Sequence, residues 1–414
     1  MNSLPYGEKA CLRLEAPPHV RITRCGAPLG EAVADVAGAV TGAIAEPLDY
    51  PPLARSVVPG DRVTIAVAEG VPHAADAVES IAGTLVSAGV SACDLTVLCA
   101  SAGSGGESGV AALAASCSDA RRLVHDPADR RQMAFLARTS DQMPVLLNRA
   151  LIDADVVVSV GCLRPTRTLG YSGAAGALCP SFSDEPTQRR YRAFHATETP
   201  RQHAERAREK AAEIAWLLGA RFTVQIVPGR GNDVLEVIAG ELAAVASAGQ
   251  RACDEMWSQD DVEPASLVVA AIEGGPQQQT WDNVGLALAA AGEVAEPGGA
   301  IALCTELSTP PGEALQTLAG ADSLPEAVQA IRKSMPRDAL AALHIARALT
   351  EHHVYLLSRL ASRDVEELGM VAVSHPDELS HLARSRPSCL LLSGGQNVQV
   401  RQRRSAECGM RNGE

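Results

Sequence analysis

The sequence predicts an α/β protein of two domains, each a mostly parallel sheet flanked by helices in Rossmann-like layers, with an active-site cleft between them. Three observations carry this. Short β-branched runs alternate with helical stretches, the pattern of βαβ units and hence of parallel strands. Aromatic residues are 3% of the chain while hydrophobic residues are 46%. The core must therefore be built from Ala, Val, Leu and Ile, which suits helices packed on strands buried on both faces. A length of 414 residues leaves room for two or three domains with large cores.

The first sixty residues are punctuated by Pro17–Pro18, Pro28, Pro47, Pro51–Pro52 and Pro59 and are expected to be loop-rich. Strand signals begin at Arg62–Ala68, with a helix expected from Ala74 to Ala88. Leu95–Ala100 is a second strand, opening onto the glycine-rich run SAGSGGESG; Arg122–His125 is a third and Val156–Val160 the clearest. Glu198 to Leu218 carries one or two amphipathic helices closed by Gly219. Phe222–Val227 is the next strand, and Val234–Ala248 is expected to be helical. A second βα series follows, with strands at Leu267–Ile272, Ala300–Thr305, Val354–Leu357 and Leu390–Leu392 and helices at Val284–Ala291 and Pro325–Thr350. The acidic segment SQDDVEPAS places a boundary near 255–265, giving domains 1–260 and 261–400 and a flexible basic tail 401–414 with Arg401, Arg403 and Arg404.

A formal charge of −13 argues against nucleic acid or an anionic membrane surface as partner. No apolar run is long enough to span a bilayer, and the start MNSLPYGEKA lacks a secretory pattern, so a cytoplasmic protein is expected. The 11 cysteines form no C-x-x-C pair, and several sit in apolar runs where Cys behaves as a small hydrophobe.

Ligands of open parallel sheets bind at the carboxyl ends of strands. That rule selects the loops 68–73, 100–109, 161–180 and 273–285. The third, GCLRPTRTLGYSGAAGALCP, combines glycines that let backbone amides approach an anion with Arg164 and Arg167 as partners. The loop at 100–109 carries Gly103-Ser104-Gly105 after a strand, which leaves open a dinucleotide-binding oxidoreductase, although the third glycine position is Ser108.

The stretch LLNRALIDADVVVSVGCLRPTRTLGYSGAAGALCP (146–180), with YRAFHATET downstream, resembles the nickel-dependent lactate racemase family. The likeness runs in matching order from about residue 45 to beyond 370 and is most specific at Gly170-Tyr171-Ser172-Gly173. The resemblance implies a two-domain α/β fold and a nickel pincer nucleotide that accepts the Cα hydride of a small anionic ligand such as a 2-hydroxy acid. Two histidines would exchange the hydroxyl proton, a role suited to a side chain that titrates near neutrality.

Carried over position by position, the resemblance places the nickel ligand at His195 and the cofactor loop at Tyr171, Ser172 and Gly173. The tethering lysine falls on Gly176, and the acid–base histidines fall on Ser104 and Thr166. The Asp-x-Thr-Arg-Pro motif reads Glu69 to His73 without its arginine, and the second-domain Tyr-Gln and lysine read Trp281, Asp282 and Gly285. Arg164, Arg167, Glu69, His73, Trp281 and Asp282 are the substrate-binding candidates, and Cys179 is an alternative metal ligand. Two functions follow from this pattern: a divergent hydroxyacid racemase or epimerase with impaired or altered chemistry, and a catalytically inactive ligand-binding paralogue. A homo-oligomer is compatible with either.

Overall fold

The computed structural model describes residues 2–100, 119–166, 168, 170–196 and 200–403, the side chains of 200–204 excepted. The chain divides into two compact units. One comprises Leu29–Met256 with Met335–Leu340, and the other comprises Met1–Pro28, Trp257–Ser334 and Ala341–Glu414. A single cut near residue 260 therefore does not describe the division. The first 28 residues belong with the C-terminal unit because their strand Arg21–Cys25 pairs in parallel with Ser388–Leu392.

The N-terminal unit is built on a six-stranded sheet in the order Val234–Glu241, Phe222–Pro228, Val156–Cys162, Val63–Val67, Leu95–Cys99, Arg121–Val124. Neighbouring strands are parallel except the first pair, Phe222–Pro228 with Val234–Glu241. Side chains of successive strand residues point to opposite faces, and both faces are covered. Ile65, Val67, Val97, Val158 and Val160 pack with Val40, Ile44, Ile81 and Leu85 of the helices Val36–Ala45 and Ala74–Ser87. Ala66, Leu98 and Val157 face the other way, onto Leu178, Phe182, Tyr191, Ala211 and Ile214. On that second face Ser159 donates to the Thr223 hydroxyl at 2.8 Å, and the Gln225 amide donates to the same oxygen at 2.7 Å. Gly161 makes this possible, since a Cβ there would lie 2.5 Å from the Gln225 amide.

The C-terminal unit has a second six-stranded sheet, in the order Val371–Val373, His353–Leu357, Ala295–Cys304, Ala265–Ala271, Ser388–Leu392, Arg21–Cys25, with every pair parallel. The α/β class with parallel layers is thus the one expected.

Several local expectations change. The segment from Val234 is a strand to Glu241, and the helix begins only at Leu242 and ends at Trp257. Its run VLEVI is β-branched, and pairing with Phe222–Pro228 uses its backbone groups in the ladder. The proline-rich start is not all loop: Asn2–Tyr6 and Ala10–Leu14 form a hairpin, and Val36–Ala45 is a helix capped by the Asp35 side chain. Arg401 and Gln402 lie in the strand Gln399–Gln402, paired with Ser258–Val262, and Arg401 meets Asp260 at 3.4 Å. Arg404 lies outside the described residues. Cys99, Cys179, Cys253, Cys304 and Cys389 are buried free thiols, and no helix among the described residues is long and apolar enough to cross a membrane.

The helix Ala339–Glu351 carries a half-buried titratable group, His344. The His344 Nε2 is buried without a hydrogen-bond partner among the described residues, and desolvation, with a smaller effect from Arg347, pushes its pKa down to about 4. Between pH 4 and the ordinary value near 6.5 the unfolded chain binds the extra proton, so this stability is full above about 6.5 and is lost as pH falls. We expect His344→Leu to flatten the difference in urea stability between pH 7 and pH 4.5, read by circular dichroism, by on the order of 2 kcal/mol. An unchanged pH slope would show that the ring is not held neutral in the fold.

Candidate functional site

A cleft of about 310 Å³ opens in the N-terminal unit at the carboxyl edge of its sheet. Its lining follows from the strand ends. Glu69 comes after Val63–Val67, Ala100 after Leu95–Cys99, and His125 and Asp126 after Arg121–Val124; Gly170 and Ser172 come from the long loop after Val156–Cys162. The remaining wall is the helix Glu185–His195, started by Asp184, whose side chain accepts from the Thr187 amide at 3.2 Å, with Pro186 in its first turn. Helical spacing puts Gln188, Tyr191, Arg192 and His195 on one face, and all four line the cleft. Arg337 and Leu340 close it from the excursion Met335–Leu340.

His195 is the deepest polar group, 2% exposed. Its Nε2 lies 3.4 Å from the Ser172 hydroxyl, and its Nδ1 is buried with no partner among the described residues. Desolvation, helped by the positive charge of Arg208, pushes its pKa down to about 4, so the ring is neutral at pH 7. His125 is also buried, but both its ring nitrogens are in use. Nε2 is 3.0 Å from the Ser183 carbonyl, and Nδ1 is 3.2 Å from the Asn148 amide nitrogen. Donation from that amide to Nδ1 fixes the proton on Nε2, and desolvation lowers the pKa of the ring. Tyr191, edge-on to Phe194, has a phenol raised in pKa first by burial.

Both lining arginines are paired. Arg192 donates through Nε to the Met335 carbonyl at 3.1 Å and meets Glu185 at 2.5 Å. Its side chain is 12% exposed, while that of its partner Glu185 is 44% exposed. Arg337 reaches Glu69 at 3.3 and 3.4 Å, both of them more than half exposed at the mouth.

The expected site residues divide accordingly. Ser172, His195 and Glu69 meet in the cleft. Tyr171 turns away, its buried phenol raised in pKa by desolvation and by the nearby Cys253 and Cys162 thiols. Gly173 begins the turn Ala174–Ala177 with φ 76 and ψ −176, a conformation open essentially to glycine. Gly176, at the end of that turn, points toward the Ser172 Cβ, which a Cβ of its own would meet at 3.0 Å. Thr166 is held by Asp254, its amide donating at 2.7 Å and its hydroxyl to the other oxygen, and it does not line the cleft. The Arg164 guanidinium lies beside Gly70 rather than in the cleft. His73 is exposed at the start of its helix, 2.6 Å from Asp76. Trp281 and Asp282 belong to the C-terminal unit, where the indole donates to Thr309 and Pro310 carbonyls at 3.0 and 3.2 Å. Arg167 and Ser104 lie outside the described residues. The cleft described here is lined by the N-terminal unit alone, so the expectation of a cleft gathering both domains is not what defines it.

Sequence reasoning missed His125, Asp126, Glu185, Arg192 and Arg337. The strand-end rule could have reached His125 and Asp126, and the spacing of three residues before His195 could have reached Arg192. Nothing local marks Arg337.

An α/β protein with a cleft at the carboxyl edge of a mostly parallel sheet is the class that this fold and site define. Solved structures share the fold. The lactate racemase apoprotein from Thermoanaerobacterium thermosaccharolyticum superposes with a TM-score of 0.77 at 17% identity, over 97% of this chain and 99% of that one. A protein from Thermotoga maritima superposes with a TM-score of 0.65 at 14% identity, over 90% and 100%. No curated protein matches the sequence. Residues 6–205 match the family model of the lactate racemase N-terminal domain.

The residues present do not fit a lysine-tethered metal cofactor at His195. Gly176 offers no amine, Lys210 is committed to Asp141, and neither Lys210 nor Lys333 lines the cleft. The charge of Arg208 beside His195 opposes a cation there, and no group of three His, Cys, Asp or Glu side chains able to hold a metal occurs among the described residues. We expect Gly173→Ala to lower stability by about 1–3 kcal/mol, read by urea denaturation, because the added Cβ meets both an unfavourable backbone and the Arg208 side chain at 3.3 Å. A neutral result would mean that the loop does not hold this conformation.

Proposed function

We propose that this protein is a divergent member of the lactate racemase family that binds a small carboxylate in the cleft and does not racemise it by the tethered nickel-pincer route. The 2-hydroxy acid of the family resemblance is the first ligand class to consider. Arg192 supplies the guanidinium, held in place through its Nε so that little side-chain freedom is lost on binding. Ser172 and His195, whose buried Nδ1 has no partner among the described residues, supply the neutral polar partners at the base. Excluding water there strengthens each of these contacts.

What supports the reading is that the described lining residues include no pair of histidines free to exchange a proton. The route implied by the resemblance uses two histidines on the hydroxyl proton. Among the described lining residues the imidazoles are His195, whose lowered pKa makes it a weak base, and His125, whose nitrogens are both occupied. One observation favours altered chemistry instead: the hydroxyl–imidazole contact of Ser172 with His195 at 3.4 Å, an arrangement that can activate a serine.

The test is a titration of the purified protein with D- and L-lactate, with chiral analysis of the recovered acid and metal analysis of the protein. Binding with no interconversion and no stoichiometric nickel is expected, and Arg192→Met should weaken binding at least about tenfold, as loss of a charge-assisted contact does. Interconversion of the enantiomers by protein carrying one nickel per chain would overturn the reading.

A further inference from the structure

The charges around the cleft specify more than a carboxylate. Its lining carries three carboxylates, Glu69, Asp126 and Glu185, against the two guanidiniums of Arg192 and Arg337. His195 is neutral at pH 7. Each guanidinium already has its own carboxylate, Glu185 for Arg192 and Glu69 for Arg337. Asp126 has no ion pair among the described residues; one of its oxygens accepts from the Ala128 amide at 2.9 Å. Among the described lining residues carboxylates thus outnumber guanidiniums by one, while Arg208 adds positive charge beside His195 at the inner end.

An incoming monoanion on Arg192 sets a second carboxylate beside that of Glu185 in a partly desolvated wall, and two like charges sharing one guanidinium repel. A ligand carrying both charges avoids this. Its carboxylate faces Arg192 while its cation faces Glu185, so the pair is exchanged for two new ones. Depth sets the orientation. The Arg192 side chain is 12% exposed, whereas the side chains of Glu185 and Glu69 are 44% and 55% exposed toward the mouth. The unpartnered, fully enclosed Nδ1 of His195 is an independent sign that the inner end awaits a polar group. A volume of about 310 Å³ suits a molecule at the small end of those taken by ligand sites.

We propose that the cleft is a site for a small zwitterionic 2-amino acid, its carboxylate inward on Arg192 and its ammonium between Glu185, Glu69 and Asp126. This rests on the reading that the cleft takes a small carboxylate, and it changes the ligand class from a 2-hydroxy acid to its amino counterpart. Alanine and lactate form the deciding pair, since they differ only in carrying ammonium or hydroxyl at C2.

The experiment is calorimetric titration of the full chain with both enantiomers of alanine and of lactate, repeated on Glu185→Gln and Asp126→Asn. Wild-type protein should bind the better alanine enantiomer about tenfold more tightly than the better lactate, as expected of two or three partly exposed ion pairs. Glu185→Gln should weaken alanine and tighten lactate, so that the two affinities converge. Asp126→Asn, at an exposed position where folding is not at risk, should reduce the alanine preference several-fold and leave lactate unchanged. Lactate binding as tightly as alanine to wild-type protein, or both ligands moving together in both variants, would overturn the zwitterion while leaving the carboxylate site standing. Failure of both ligands to bind wild-type protein would overturn the two together.

Discussion

The strand Val156–Cys162, paired in parallel on both sides, fixes where the chain leaves the sheet and so where every deep group of the cleft can lie. Its neighbours Val63–Val67 and Phe222–Pro228 are themselves buried along their length, so a slip of one residue would turn an entire apolar row to the wrong face. With that register set, the loop from Leu163 crosses the carboxyl edge and folds back through the turn at Ala174–Ala177. Ser172 then stands against the last residue of the helix Glu185–His195.

The price of this arrangement is an imidazole taken out of water with one nitrogen unsatisfied. An enclosed polar atom of that kind is uncommon and marks strain, a bound group or function. Burial and the nearby Arg208 keep the ring neutral, which disfavours both a cation and a proton at this position. Around it the wall carries two ion pairs and Asp126, so selectivity arises from which ligand suits the existing ion pairs rather than from an open positive pocket. The fold is shared with the lactate racemase apoprotein, while the electrostatics of the site are this chain's own.

Much of this was legible in the residues. The β-branched runs located most of the strands of both sheets, and the glycine-rich loop ending near Cys179 pointed to the right edge of the sheet. The Ser172 hydroxyl lies 3.4 Å from His195, two positions that the family resemblance had assigned to one site. The failures have physical causes. Val234–Glu241 alternates too weakly to be told from a helix until its antiparallel partner is known. The proline-rich start hid the strand Arg21–Cys25 because its partner Ser388–Leu392 is more than 350 residues away. Arg164 has the right charge and the wrong direction, beside Gly70, while Arg192 was obscured because the helix Glu185–His195 was not recognised as a separate element. Arg337 depends on a six-residue excursion, Met335–Leu340, that no local pattern announces.

The account turns on a neutral, enclosed His195 that lines the cleft and keeps one ring nitrogen without a partner among the described residues. Nitrogen-15 NMR of the ring, assigned with a His195→Gln variant, reads this directly. The expected result is a ring that stays neutral down to about pH 4 and whose Nδ1 resonance moves when a small carboxylate is added. A ring that titrates near 6.5 and ignores the ligand would contradict it, because His195 would then face water and the cleft would not be the site.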